Sequence, residues 1–237
     1  YCVNVQKFPD RWNPPTDLSY HIGRKPASSK SQKVHPITDQ EIIDLIHSLE
    51  NDERAKRDIP AALNWARAIK LMVTFGLRPE ELKHLEKKVD RKTKEEYLWC
   101  SYQKRAGGGM TEARRLYPLY PVNEKGVKQD WDLIELFDRK DFQLPSLQNK
   151  NGAGEACLKY LKRQKCWKQL IKNVEKRNER AGSYSFRHSY SVRGHLLDID
   201  NGSMSLAMGH SIETHCREYP WATKSATTNA FKIALAA

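Results

Sequence analysis

Three short stretches of this 237-residue chain carry side chains that can grip a phosphate or exchange a proton. In Phe75-Gly76-Leu77-Arg78-Pro79-Glu80-Glu81-Leu82 an arginine stands between a helix end and a helix start. A residue before proline is pushed to extended geometry, so Arg78 should project from the cap of the next helix, beside free backbone N–H groups that suit a phosphate. The same spacing serves a surface arginine that pairs with Glu80 or Glu81. In Ser183-Tyr184-Ser185-Phe186-Arg187-His188-Ser189-Tyr190, Ser183 or Ser185 is a natural N-cap and Arg187 falls in the first turn. A guanidinium fork there can hold two phosphate oxygens. His188 and His195 lie seven apart on one helical face, but with no further ligand nearby they point to packed or solvated rings and not to zinc. The third stretch is Met208-Gly209-His210, followed nine residues later by Tyr219. That offset leaves room for one short helix between an imidazole and a phenol. Taken singly, a tyrosine is more often a packing residue than a nucleophile.

These groups need elements to hold them. Thr38 with Glu41 makes a capping box, and the apolar stripe Ile42, Ile43, Leu45, Ile46 and Leu49 predicts a first helix over about 39–49. A longer helix is expected over about 61–75, closed by Gly76, and Pro79 should restart a short one through Leu85. Tyr97–Tyr102 and Arg115–Leu119 are strand-like runs separated by a Gly-rich loop, a hairpin of a small antiparallel sheet. Later segments predict helices over about 154–180, 186–197, 204–208 and 222–236, the first of them strongly basic on its exposed face. The sum is a mostly helical α+β domain over about residues 36–237. Residues 1–35, rich in Pro, Ser, Lys and Arg without sustained periodicity, read as a linker or extended arm. Tyr and not Met stands at position 1, which suggests a chain cut from something longer.

Lys plus Arg number 41 against 29 for Asp plus Glu, a formal charge of +12, so a polyanion is the first partner to consider. Hydrophobic residues at 39% support a packed interior and argue against a wholly disordered basic tail. The apolar runs are too short to cross a bilayer, and no signal-peptide pattern is present. The five cysteines (Cys2, Cys100, Cys157, Cys166, Cys216) are scattered and include no Cys-x-x-Cys pair, which supports neither a disulfide scaffold nor a zinc ribbon and favours a reducing cytoplasm.

Together the three stretches resemble the catalytic boxes of the tyrosine recombinase (phage integrase) family. That family carries an Arg in a Gly-Leu-Arg-x-x-Glu-Leu box, a Lys on a β-hairpin, a His-x-x-Arg-His box, and Gly-His followed nine residues on by a nucleophilic Tyr. Gly76 to Leu82, Arg187-His188, and Gly209-His210 with Tyr219 match in order and spacing, over about residues 36–237. The hairpin lysine is assigned by position as Lys104, before the Gly107-Gly108-Gly109 loop; a solvated loop charge is the alternative. A nucleotide-binding P-loop is excluded because no Gly-Lys-Ser/Thr follows these glycines.

The resemblance implies a tyrosine recombinase catalytic-domain fold and one reaction. Tyr219 would attack a phosphodiester of double-stranded DNA, leaving a 3′-phosphotyrosine and a 5′-hydroxyl, with no ATP, cofactor or metal. Arg78 and Arg187 would stabilise the charge on the phosphate oxygens, His210 and Tyr184 would add hydrogen bonds, and Lys104 would protonate the leaving oxygen. Homotetramers on two DNA sites, in the prokaryotic nucleoid, are implied for the full-length protein. Two departures stand out: Tyr184 replaces the family's histidine, and Pro220 follows the nucleophile directly. A phenol is a poor base at neutral pH; the Tyr form looks like that of cyanobacterial excision recombinases of heterocyst differentiation. The rival readings are a non-catalytic DNA-binding domain of the same fold and a type IB topoisomerase-like relaxing activity.

Overall fold

The computed structural model describes residues 34–106 and 109–220, so the expected arm falls outside it but for Val34 and His35, as does the helix expected over 222–236. The first described residues are held through their backbone. His35 N–H donates to the Arg180 carbonyl at 2.8 Å, and Ile37 N–H donates to Ser189 Oγ at 3.1 Å, tying this strand of chain to the Arg187 region. Helix α1 (Asp39–Asn51) then begins with the expected capping box and buries Ile42, Leu45, Ile46 and Leu49.

Helix α2 (Ile59–Phe75) is the centre of the core. Its C-terminal half, Ala68 to Phe75, is buried on nearly every face because α1 and a later helix, over Ser185–Leu196, pack against it. It stops at Gly76, whose φ of +63° is left-handed and where a Cβ would sit 2.5 Å from the Tyr190 ring. Only glycine satisfies both conditions. Leu77 is buried, Arg78 is extended at φ −72° and ψ 149°, and Pro79 opens a 3₁₀ turn, Pro79–His84.

The chain continues directly into strand β1 (Leu85–Val89), for which the sequence analysis has no element because Glu86, Lys87 and Lys88 mask its alternation. β1 pairs antiparallel with β2 (Glu96–Cys100), Leu85 opposite Cys100. Between β2 and its other partner lie two short paired strands, β3 (Arg105–Ala106) and β4 (Gly109–Met110). β5 (Arg114–Arg115) pairs with β2 and completes a three-stranded sheet in the order β1-β2-β5. Lys104 therefore stands past the end of β2, at the foot of the inner hairpin. There its N–H bonds Thr111 Oγ1 and its carbonyl accepts from Thr111 N.

After the short helix α3 (Leu133–Leu136), the basic helix expected over 154–180 is two helices, α4 (Ala153–Leu161) and α5 (Lys165–Lys176). Buried Tyr160, Trp167 and Val174 are seven apart, in phase with one long helix, and no Pro or Gly marks the break. A tightened turn makes it: Arg163 N and Gln164 N bond carbonyls three residues back, and Gln164 is extended. Helix α6 (Ser185–Leu196) follows, with Tyr184 at its N-cap position making no side-chain cap bond and neither of the expected serines capping it. Ser185 Oγ instead donates to the His35 carbonyl at 2.6 Å and accepts from Gly182 N. Helices α7 (Asn201–Met208) and α8 (Ile212–Glu218) pack against each other, with Asp200 and Ser211 as side-chain N-caps. The fold is thus α+β, mostly helical, with a small antiparallel sheet.

Candidate active site

The elements that carry the three boxes meet around one buried carboxylate. Glu81, on the 3₁₀ turn, accepts Arg78 N–H at 2.8 Å and Arg78 Nη1–H at 2.7 Å. Arg114 on β5 adds a bidentate fork, Nη1 and Nη2 each 3.0 Å from one Glu81 oxygen. Arg187 Nη1 approaches at 3.7 Å. Burial would by itself raise this carboxyl, but Arg187, Arg114 and Arg78 outweigh it and hold the pKa at about 2. Three guanidiniums against one carboxylate leave a local surplus of +2, the electrostatic setting for an anion.

The same arginines grip the Met208-Gly209-His210 corner. Arg187 Nη2 donates to the Met208 carbonyl at 2.5 Å while its Nη1 donates to the Gly76 carbonyl at 2.5 Å. Arg78 Nη2 reaches the Gly209 carbonyl at 3.2 Å, and Arg114 Nε the Ala207 carbonyl at 2.9 Å. Gly209 has φ +64°, and a Cβ there would lie 2.6 Å from Arg114 Nη1, so glycine is what lets the guanidinium close over the corner. Arg187 is only 4% exposed, and its fork is already occupied by carbonyls. This departs from the expectation of a guanidinium open at a helix N-terminus. Its position in the first turn was legible, but its depth was not. Burial, then Arg78, lowers its pKa, with Glu81 opposing. The Arg78 side chain keeps 20% of its surface exposed and, as the second expectation allowed, pairs with Glu81.

Tyr219 caps the C-terminal end of α8 and is buried at 5% exposure among imidazoles. Its hydroxyl lies 2.7 Å from His188 Nδ1, and the ring centroids of His215 and His195 lie 4.9 and 6.2 Å from its own. The histidines form a chain: His210 Nε2 is 2.9 Å from His215 Nδ1, and His215 Nε2 is 2.9 Å from His195 Nε2. Burial first, then Arg187 and His215, keeps His210 down at about 2; burial, then His195 and Arg187, keeps His215 at about 4. Both rings are therefore neutral at physiological pH. Burial raises the Tyr219 phenol, with Arg187 opposing, so its proton also stays on.

Of the six residues singled out from the sequence, Arg78, Arg187, His210 and Tyr219 are brought together. The Tyr184 and Lys104 side chains are exposed instead, although the Tyr184 carbonyl accepts the His188 N–H at 3.0 Å. Glu81 had been noticed only as a surface partner for Arg78, and Arg114 and His215 were missed. Their signals were available, since Glu81 stands at the capping-box distance from Arg78, and His215 one helical turn before Tyr219. His188 had been weighed as a zinc ligand and matched to the third box beside Arg187, with no role of its own. Among the described residues no group of three or more His, Cys, Asp or Glu side chains could hold a metal ion, and no helix is long and apolar enough to cross a membrane.

No family model matches the chain, and no curated protein matches it. Solved structures do. The Tn1549 transposon integrase in complex with transposon right end DNA is 16% identical with a TM-score of 0.46, covering 100% of this chain and 75% of that one. The XerH site-specific recombinase bound to difH substrate in a pre-cleavage complex is 18% identical with a TM-score of 0.45, covering 92% of this chain and 59% of that one. In its post-cleavage complex on palindromic difH, XerH is 16% identical with a TM-score of 0.44, and the chain spans about half of it, 52%. These are what the chain is similar to in shape; at such identity and score they assign it no activity.

Proposed function

We propose that this chain cleaves and rejoins double-stranded DNA through a 3′-phosphotyrosine on Tyr219, as a site-specific recombinase or integrase. The observation that carries the reading is that Arg78 and Arg187, 109 residues apart in sequence, both bond the carbonyls of the Met208-Gly209 corner from which His210 and α8 lead to Tyr219. The resemblance of the sequence boxes to the tyrosine recombinases supplies the chemistry. Arg78, on the more open side, would take the non-bridging oxygens, with Arg187 behind it setting the potential and His210 donating a hydrogen bond. Exposed Lys104 would come to the leaving 5′-oxygen, and Tyr184, also exposed, would bond a phosphate oxygen. Exposed Lys162, Arg163, Lys165, Lys168, Lys172 and Lys176 on α5 and the turn before it would bind backbone in a salt-dependent way. Exchange between two sites by four copies, and kinship with heterocyst excision recombinases on the strength of Tyr184, are parts of the same proposal.

The test is covalent capture. Duplex oligonucleotides with a randomised centre, nicked so that the released 5′-hydroxyl strand diffuses away, are mixed with the protein and resolved under denaturing conditions. Wild type should retain DNA in a phosphotyrosine that mass spectrometry maps to Tyr219, and Tyr219→Phe should bind DNA without retaining it. A non-catalytic DNA-binding domain is the second reading, favoured by Tyr184 in place of a histidine. It predicts salt-sensitive binding and no adduct from either protein.

A further inference from the structure

If Tyr219 is the nucleophile, its proton must leave as the bond to phosphorus forms, and the residue expected to stand in a base's place, Tyr184, is an exposed phenol. Four imidazoles near Tyr219 compete for the role. His215 is the nearest ring by centroid, but its Nδ1 is taken up by His210 and its Nε2 by His195, so neither nitrogen is left for the hydroxyl. His210 spends its Nε2 on His215, and His195 its Nε2 on the same ring. His188 has a ring nitrogen bonded to the Tyr219 hydroxyl, Nδ1 at 2.7 Å, within the reach a proton transfer needs. It also follows Arg187 directly on α6. The imidazole and the guanidinium are thus carried by one turn of one rigid helix, and any movement that brings a phosphate to one brings it toward the other.

We infer that His188 is a catalytic residue, the general base for Tyr219 in strand cleavage and the general acid that returns the proton in rejoining. The inference rests on the proposed function. In cleavage the neutral ring accepts the phenolic proton at Nδ1 as the Tyr219 Oη–P bond forms and the P–O5′ bond breaks. The departing 5′-oxygen takes its proton from Lys104 and leaves as a hydroxyl. Rejoining runs the transfers in reverse, so protons and bonds balance over the cycle. His188 thereby stands, one helical turn on, in the place that Tyr184 leaves vacant.

The experiment uses the DNA recovered by wild-type capture and compares single-turnover attachment by wild type, His188→Ala and His188→Asn. Asparagine offers an acceptor oxygen near the position of Nδ1 but holds no proton. A residue that merely orients Tyr219 is rescued by asparagine; a base is not. Both variants should attach about 10²–10⁴-fold more slowly than wild type, the range for losing a general base, with unchanged DNA affinity and melting temperature. A fluorinated, more acidic tyrosine installed at position 219 should shrink the His188→Ala defect, because an ionised nucleophile needs no base. Attachment at the wild-type rate by His188→Asn, or a defect that fluorination leaves unchanged, overturns the inference while the proposed function stands. No adduct from wild type itself overturns both.

Discussion

Glu81 is the carboxylate on which Arg78, Arg114 and Arg187 converge, and Glu81→Gln keeps its shape while removing its charge. The side chain is fully buried and accepts four N–H bonds from Arg78 and Arg114. Glutamine would turn an NH₂ toward a guanidinium and leave the arginine cluster without its counter-charge. Removing one partner of a buried ion pair costs about 3–5 kcal/mol. The carboxyl's own titration agrees: held at about 2 against 4.5, it contributes about 3 kcal/mol in neutral solution. A domain has only about 5–15 kcal/mol in all, so the variant should be folded but marginal.

Urea unfolding followed by tryptophan fluorescence reads this directly. With a slope of about 2 kcal/mol per molar urea, the midpoint should fall by about 1.5–2.5 M. The variant should also respond to anions more than wild type does, because inorganic phosphate bound beside the partly exposed Arg78 can supply the counter-charge that the cluster has lost. At about one hundred times its dissociation constant, phosphate would restore about 2.7 kcal/mol. A midpoint within about 0.3 M of wild type, or equal phosphate effects on the two proteins, would refute the claim that Glu81 neutralises the cluster.

Arg187→Ala should lose stability by about 3–5 kcal/mol, since its buried fork holds the Gly76 and Met208 carbonyls, whereas the partly exposed Arg78→Ala should lose less stability and slow attachment to DNA more; urea midpoints and capture rates separate the two. If Lys104 protonates the leaving oxygen, Lys104→Ala should be slow on an ordinary phosphodiester and much less impaired on a 5′-phosphorothiolate, whose sulfur leaves without a proton. Equal defects on both substrates would make Lys104 a DNA contact only. His210 and His215, neutral when folded and ordinary when unfolded, confer stability that is complete above about pH 6.5 and is lost as pH falls toward their folded values of about 2 and 4. The unfolding free energy should drop by about 1.4 kcal/mol per pH unit for each ring between pH 6 and 4.5, with Glu81 adding its own loss from 4.5 down to 2. His215→Gln should flatten the upper part of that slope, and an unchanged slope would mean that the ring is charged in the folded protein.

Local rules located the ends of elements well, because those ends are governed by residues a few positions apart. Thr38 with Glu41, Gly76, and the Arg78-Pro79 junction each carry their own physical reason and stand where the sequence suggested. The rules failed where packing decides. β1 lies at the edge of its sheet, where charged residues are tolerated, and its half-buried Lys87 and Lys88 blur the alternation that marks a strand. The turn between α4 and α5 interrupts an apolar stripe that stays in phase across it, and stacking of Tyr160 on Trp65, with centroids 5.4 Å apart, is a long-range contact that no window of sequence contains.

The site divides along the same line. Spacing picked out Arg78, Arg187, His210 and Tyr219, because each stands at a helix boundary and boundaries have signatures. It could not tell which of two arginines in similar local settings would face solvent. Depth is set by what covers a residue, and the cover over Arg187 comes from Gly76 and Met208, 111 residues before it and 21 after. Nor could spacing reveal that a glutamate read as a surface partner is the hub of the cluster. A charge becomes a hub only when several opposite charges are forced into its low-dielectric surroundings, and Arg114 arrives there from the sheet, 33 residues along the chain. For a site assembled from a helix end, a strand and a helix corner, sequence supplies the parts, and the tertiary fold decides which are exposed to a substrate and which hold the others in place.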